Sequence, residues 1–314
     1  MLLNHFNILV QRVRLPNLII IALVLYLQRW CLVIPGIHQP GIEPGWAGYG
    51  LIVLGTVLIA AGGYLINDHF DVEIDAVNRP EKAAALRLLP PAALRKTYYA
   101  LTLAGLLSAG FACYVSGIFA LWLVYLSTAA LLFWYASRLK KMLFYGNLVV
   151  AMASALVMLY AWLYDMFLMQ SLYPVESSDV NDYRGITTNI IIYSLFAFLI
   201  SFVREIIKDI EDMEGDSRFG CRSLPVVFGV PAAKKVIIIG LTMIFILLFL
   251  WQAGLYNSGH MNLAIYLVFA VDLPLAWLSA YVMRMKTRAQ SHLAGQLTRM
   301  IMVTGILSML WFIV

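Results

Sequence analysis

Apolar residues in this chain gather into long, nearly unbroken runs, separated by short polar and basic stretches. Soluble cores give amphipathic helices, whereas runs of about 20 mostly apolar residues cross hydrocarbon. By that measure nine spans are predicted, at roughly 16–35, 48–66, 98–116, 118–136, 143–168, 187–207, 236–254, 262–283 and 300–314. The expected fold is all-α, a multi-pass bundle of nine transmembrane helices forming one domain over 1–314.

Basic residues fix the expected topology, because Lys and Arg concentrate on the cytoplasmic side of membrane proteins. Arg12 and Arg14 precede the first span, and Arg79, Lys82, Arg87, Arg95 and Lys96 fill the second connection. Arg138, Lys140 and Lys141 follow the fourth span, and Arg204, Lys208, Arg218, Arg222, Lys234 and Lys235 surround the sixth connection. The eighth carries Arg284, Lys286, Arg288 and Arg299. Only Arg29 and Arg184 of the 22 fall on the other side. The amino terminus is thus expected in the cytoplasm and the carboxyl terminus across the cell (inner) membrane. Arg12 and Arg14 lead directly into a full-length span, so no cleaved signal peptide is expected.

Composition agrees: 62% of residues are hydrophobic and 12% charged, against about 25% charged in soluble domains. Cys31, Cys113 and Cys221 are scattered, without spacing for zinc or a disulfide framework, and read as small packing residues.

Against so little charge, one pattern appears twice. Asp68, Asp71 and Asp75, and then Asp209, Asp212 and Asp216, follow Asp-x-x-Asp-x-x-x-Asp at the end of an apolar run. Positions i, i+3 and i+7 share one helix face, so each triad can aim its carboxylates one way. Acids at a membrane surface can merely keep a helix end in water. Identical spacing, aspartate throughout, favours function instead. Magnesium takes oxygen ligands and typically combines one or two carboxylates with water and substrate phosphate. The triads therefore suggest metal ions holding a diphosphate, with the metal as Lewis acid and template. After the first helix, the chain reads as two four-helix halves, 48–168 and 187–314, each carrying one triad to the cytoplasmic side. That parallel predicts a central cavity open to the cytoplasm. A diphosphate there suggests a lipid diphosphate. Allylic loss of diphosphate would leave a cation that aromatic faces can stabilise, and Tyr64, Tyr98, Tyr99, Trp134, Tyr135, Tyr160 and Trp162 are available, although membrane aromatics also serve as packing.

The run Asn67-Asp68-His69-Phe70-Asp71-Val72-Glu73-Ile74-Asp75, closed by Asn78-Arg79-Pro80, resembles the first aspartate motif of the UbiA prenyltransferase superfamily. Arg204 through Lys208-Asp209-Ile210-Glu211-Asp212-Met213-Glu214-Gly215-Asp216 resembles the second, with Ser223-Leu224-Pro225 after it. Arg14-Leu15-Pro16-Asn17, Tyr135 through Lys140, and Gly146-Asn147 extend the likeness. It is strongest to the digeranylgeranylglyceryl phosphate synthase branch and its bacterial members. The resemblance implies magnesium-dependent transfer of a prenyl group from a prenyl diphosphate to a lipid-type acceptor, with no nucleic acid among the partners. Carried over, both triads would bind metal and act catalytically, while Asn67, Arg79, Lys140, Lys208, Tyr135 and Asn17 would contact the diphosphate or its cavity. Snorkelling to the membrane surface accounts equally for Lys140 and Lys208. One departure follows Lys82, where the family's basic, Pro- and Gly-containing sequence gives way to Ala83-Ala84-Ala85-Leu86-Arg87-Leu88-Leu89-Pro90-Pro91.

Two other readings stay open. An aromatic acceptor would attack the cation without a strong base, whereas a glycerol hydroxyl must lose its proton. A transporter would need carboxylates near the bilayer midplane, where Asp272, before Pro274, is the lone candidate.

Overall fold

The computed structural model describes residues 8–36, 45–172 and 180–313, so parts of the connections after the first and fifth predicted spans lie outside the described residues. Among the described residues there is no strand, and nine helices are long and apolar enough to span a bilayer. They are α1 (Leu15–Gly36), α2 (Trp46–Asn78), α3 (Ala92–Val115), α4 (Phe119–Ser137), α5 (Tyr145–Ser171), α6 (Tyr183–Arg218), α7 (Leu224–Asn257), α8 (Met261–Arg284) and α9 (Arg288–Phe312). The protein is an all-α, multi-pass membrane protein.

The helices extend well beyond the apolar runs that signalled them. α2 spans 33 residues and α6 spans 36, so both aspartate triads lie within helices and not in the connections after them. Arg29, counted with the far-side charges, sits inside α1 and is fully buried. It belongs to a wide π-helical turn, Gln28–Val33, in which Gln28 Nε2 donates to the Met158 carbonyl at 3.0 Å.

Two compact units can be distinguished. The first comprises Met1–Tyr26, Gln39–Lys141 and Tyr160–Val180, and the second Leu27–His38, Met142–Leu159 and Asn181–Val314. In the first, α2 packs along α3 through small residues. A Cβ on Gly55 would lie 2.9 Å from the Gly105 carbonyl, and one on Gly105 would lie 2.9 Å from the Gly55 carbonyl. Lipid tails are as apolar as leucine, so membrane helices gain by such close backbone approach. α2 stops where Arg79, held out of helical geometry at φ −145°, precedes Pro80. Pro80 then starts a second helix, Pro80–Arg87, at the first-turn position where its missing N–H costs nothing. Ala83, Leu86 and Leu89 are buried along this segment. Leu86 and Leu89 cluster with Leu65 of α2 and Leu94 of α3, flanked by Ile8, Leu9 and Val13.

In the second unit, prolines shape the helices. Pro274 of α8 cannot bond the Ala270 carbonyl four residues back. That carbonyl instead accepts Thr304 Oγ1 of α9 at 2.8 Å, and α8 widens to a π turn at Val268–Asp272 just before the proline. α7 breaks near Pro231, where Gly229 takes a positive φ of 81°. Thr287 and Gln290 close a capping box at the start of α9.

The α2–α3 contact yields a first prediction. Gly105→Leu should destabilise the protein by about 1–3 kcal/mol, since the side chain has no room. Its melting temperature in detergent should fall, while Gly254→Ala, with nothing within 4 Å of the added carbon, should melt like the parent.

Candidate active site

α2 carries the first triad near its carboxyl end. Asp68 is 1% exposed, and Asp71 and Asp75 are 5% exposed each. Three buried carboxylates on one helix face would repel one another strongly, and cations from three other segments answer them. Arg14 Nη2 lies 3.3 Å from Asp68 Oδ1. Lys82 Nζ bridges Asp68 Oδ1 at 2.6 Å and Asp75 Oδ2 at 2.7 Å. Lys140, just beyond α4, bonds Asp71 Oδ2. The Asn67 amide donates to that same Asp71 oxygen at 2.6 Å.

Each cation is delivered by local structure. Arg14 has a positive φ of 56°, a conformation rare for non-glycine residues and common where function holds the backbone under strain. Its guanidinium also stands 4.7 Å over the Tyr64 ring. Asn17, one turn into α1, donates to the Tyr64 hydroxyl at 3.5 Å. Lys82 projects from the helix that Pro80 starts. Lys140 lies in a single 3₁₀ turn, Leu139–Lys141. Burial works to strip its proton, but the Asp71 carboxylate, aided by Tyr135 and Asp75, outweighs burial and raises its pKa, so it stays charged. Tyr135 packs against Ile66, Tyr98 and Ala136. Arg79 caps α2, its N–H donating to the Asp75 carbonyl at 2.6 Å.

In the second unit, Asn147 at the start of α5 donates from Nδ2 to Asp209 Oδ2 at 2.7 Å. Lys208 lies 3.9 Å from Asp212, a looser pairing one turn along α6. Asp216 is buried. Glu205, also buried, meets Arg204 at 3.1 Å. Glu211, interleaved with the triad but on another face, turns to His292 Nδ1 at 3.2 Å. Asp272 of α8 accepts from Gln252 Nε2 of α7 at 2.8 Å. Of the aromatic candidates, Tyr99 and Trp134 are more than half exposed, whereas Trp162 is buried.

The residues fit magnesium better than a closed metal cage. Among the described residues no group of three or more His, Cys, Asp or Glu side chains is arranged to hold a metal ion. Yet Asp68 Oδ2 and Asn67 Oδ1 are buried oxygens with no hydrogen-bond partner. Buried acceptors left unbonded call for a water or an ion. Magnesium takes oxygen ligands and leaves most of its shell to water and phosphate, which suits two spare oxygens beside cations able to face phosphate.

Arg14, Lys82 and Asn147 contact triad carboxylates but were not singled out as site residues on sequence. The signal for Lys82 lay in its spacing, seven residues after Asp75, but it depends on a helix restarting at Pro80.

The UbiA prenyltransferase family model matches residues 30–306. The chain belongs to the UbiA prenyltransferase family. It is a prenyltransferase. A curated relative, digeranylgeranylglyceryl phosphate synthase of Hyperthermus butylicus, is 31% identical over 239 residues, covering 76% of this chain and 74% of that protein. Among solved structures, a digeranylgeranylglyceryl phosphate synthase studied in membranes superposes with a TM-score of 0.64 at 20% identity, covering 97% of each chain. A UbiA homologue from Archaeoglobus fulgidus bound to GPP and Mg2+ has a TM-score of 0.53 at 14% identity, covering 96% of this chain and 99% of the other. These structures share the fold.

The two polar supports generate separate predictions. Lys140→Met leaves the Asp71 carboxylate buried without its lysine, and should lower stability in a melting experiment by about 3 kcal/mol. Asn147→Leu removes the amide that orients Asp209. It should cost roughly 10- to 100-fold in magnesium affinity or prenyl transfer while the melting temperature stays near that of the parent.

Proposed function

We propose that this chain transfers a prenyl group from an allylic prenyl diphosphate to a lipid-type acceptor, with a glyceryl phosphate ether as the favoured class. The observation that carries this reading is the first triad, where buried aspartates with spare oxygens lie among Arg14, Lys82 and Lys140. Such a set suits a magnesium diphosphate better than either ion alone. The names of the curated relatives support the acceptor class.

In this reading Asp68, Asp71, Asp75, Asp209, Asp212 and Asp216 bind magnesium, and Asn67, Arg79, Lys140, Lys208, Tyr135 and Asn17 serve the diphosphate and its surroundings. Magnesium, when bound, offsets charge on the leaving diphosphate. The bond from the prenyl carbon to the diphosphate oxygen breaks, with the electron pair leaving on oxygen. The acceptor oxygen bonds to that carbon and its hydroxyl proton is released. Lys140, kept charged by Asp71, and Arg14, over Tyr64, supply fixed positive charge toward phosphate oxygens. Each triad acts on diphosphate through magnesium, on the cytoplasmic side of the membrane. The whole chain works as one domain, with its amino terminus in the cytoplasm of the cell membrane. The basic residues flanking α1, α2, α4, α6 and α8 support that orientation.

Purified protein supplied with magnesium and radiolabelled geranylgeranyl diphosphate should transfer label to an added glyceryl phosphate ether, and EDTA should abolish transfer. Asp71→Ala and Asp212→Ala should each lose at least about 100-fold in rate while remaining folded. Full turnover by both would overturn the site. A mass-spectrometric comparison of lipids from cells with and without the protein identifies the product, and a missing prenylated phenol or quinone would replace the glyceryl phosphate with an aromatic acceptor.

A further inference from the structure

In the first aspartate set each carboxylate has a cation against it. Asp68, Asp71 and Asp75 are met by Arg14, Lys82 and Lys140, each nitrogen within 3.3 Å of a carboxylate oxygen. Carboxylates already held by cations attract a lone divalent ion less than free ones would. Lys82 holds two of them. Its single ammonium takes one oxygen from each of two carboxylates, at 2.6 and 2.7 Å, and is only 15% exposed. It drops out of the helix ladder of α2 altogether, reaching the triad from the separate helix Pro80–Arg87. Ala83 and Leu86 of that helix and Leu89 just after it are buried, so its approach is anchored by packing and not by the ion pairs alone. The second triad is treated differently: Asp209 receives the neutral Asn147 amide, and Lys208 is 3.9 Å from Asp212.

We propose that Lys82, by bridging Asp68 and Asp75, competes with a lone metal ion for these carboxylates, so that this set takes magnesium together with the diphosphate and not as a free ion. The inference rests on the magnesium-diphosphate reading above and adds an order of loading to it. A cation entering beside Asp68 and Asp75 meets the Lys82 charge a few ångströms away, where like charges in partly buried surroundings repel strongly. A diphosphate arriving with the ion would give the Lys82 ammonium other oxygens to bond, leaving Asp68 and Asp75 able to hold the metal. Lys82 is a positioning residue in this scheme, acting through Asp68 and Asp75.

The test titrates magnesium into the full-length protein in detergent by calorimetry, with and without inorganic diphosphate. Asp209→Asn and Asp212→Asn are present throughout, so that the first set is read alone. That protein should bind magnesium measurably only when diphosphate is present. Adding Lys82→Gln should create binding of magnesium alone, at least about tenfold tighter than before, because one positive charge has gone. Lys82→Arg should behave like the lysine protein, and Asp68→Asn added to Lys82→Gln should remove the gain. Magnesium binding that is unchanged or weaker in Lys82→Gln overturns the inference while leaving the magnesium-diphosphate reading in place. If the lysine protein itself binds magnesium alone as tightly as with diphosphate, the inference also falls, without any need for the variants to fold well. Absence of binding even with diphosphate, in every protein, overturns the magnesium reading of the first set and the inference with it.

Discussion

Burial of three aspartates on one helix face is the constraint around which the first unit is arranged. Taking a carboxylate out of water costs several kcal/mol unless a counter-charge and hydrogen bonds replace the water. α2 does this three times within eight residues, 68–75. The compensation comes from places distant in sequence: Arg14 ahead of α1, Lys140 after α4, and Lys82 beyond the proline break. An arrangement evolved only for stability would bury leucines at those positions. Retaining charge there is what the proposed magnesium-diphosphate ligand would require.

The membrane makes the arrangement possible. α2 can continue past its apolar run because α3 lies tightly against it, with Gly55 and Gly105 in mutual contact. A helix that is stiff through this contact carries its last two turns, and the carboxylates on them, at a fixed angle. The same economy appears in the second unit, where a carbonyl released by Pro274 is answered by Thr304 of the next helix. Nonpolar surroundings tolerate no unpaired backbone group, so each irregular turn requires a partner.

Much of this was legible in the residues. Nine apolar runs forecast nine helices because hydrocarbon thickness imposes a length that composition reveals directly. The repeated aspartate spacing likewise announced two helical faces, since periodicity survives without knowledge of neighbours. Helix ends were harder. α2 runs on to Asn78, about three turns beyond the predicted 66, because polar residues in its last turns are paired by tertiary contacts that hydropathy does not register. Arg29 lies near the end of the predicted 16–35 span, and a count of charges does not reveal that packing around a π turn buries it. Asn147 was invisible as a carboxylate partner, because its proximity to Asp209 is created by folding, and the spacing of Lys82 from Asp75 carries meaning only once a helix restarts at Pro80.

The break at Pro80 has a consequence for how this protein can vary. An α-helix turns about 100° per residue, so the phase between a helix start and any side chain on it is set by simple counting. Pro80 resets that count immediately after the triad. Lys82 faces Asp68 and Asp75 only because it stands two positions after the reset, with Leu86 one turn further along the same face. Composition downstream is thereby released: an alanine- and leucine-rich stretch serves as well as a basic one, provided the buried positions recur at helical intervals. Length is not released. One residue gained or lost between Pro80 and Leu86 would swing the ammonium away from the carboxylates, making this short connection tolerant of substitution and intolerant of insertion.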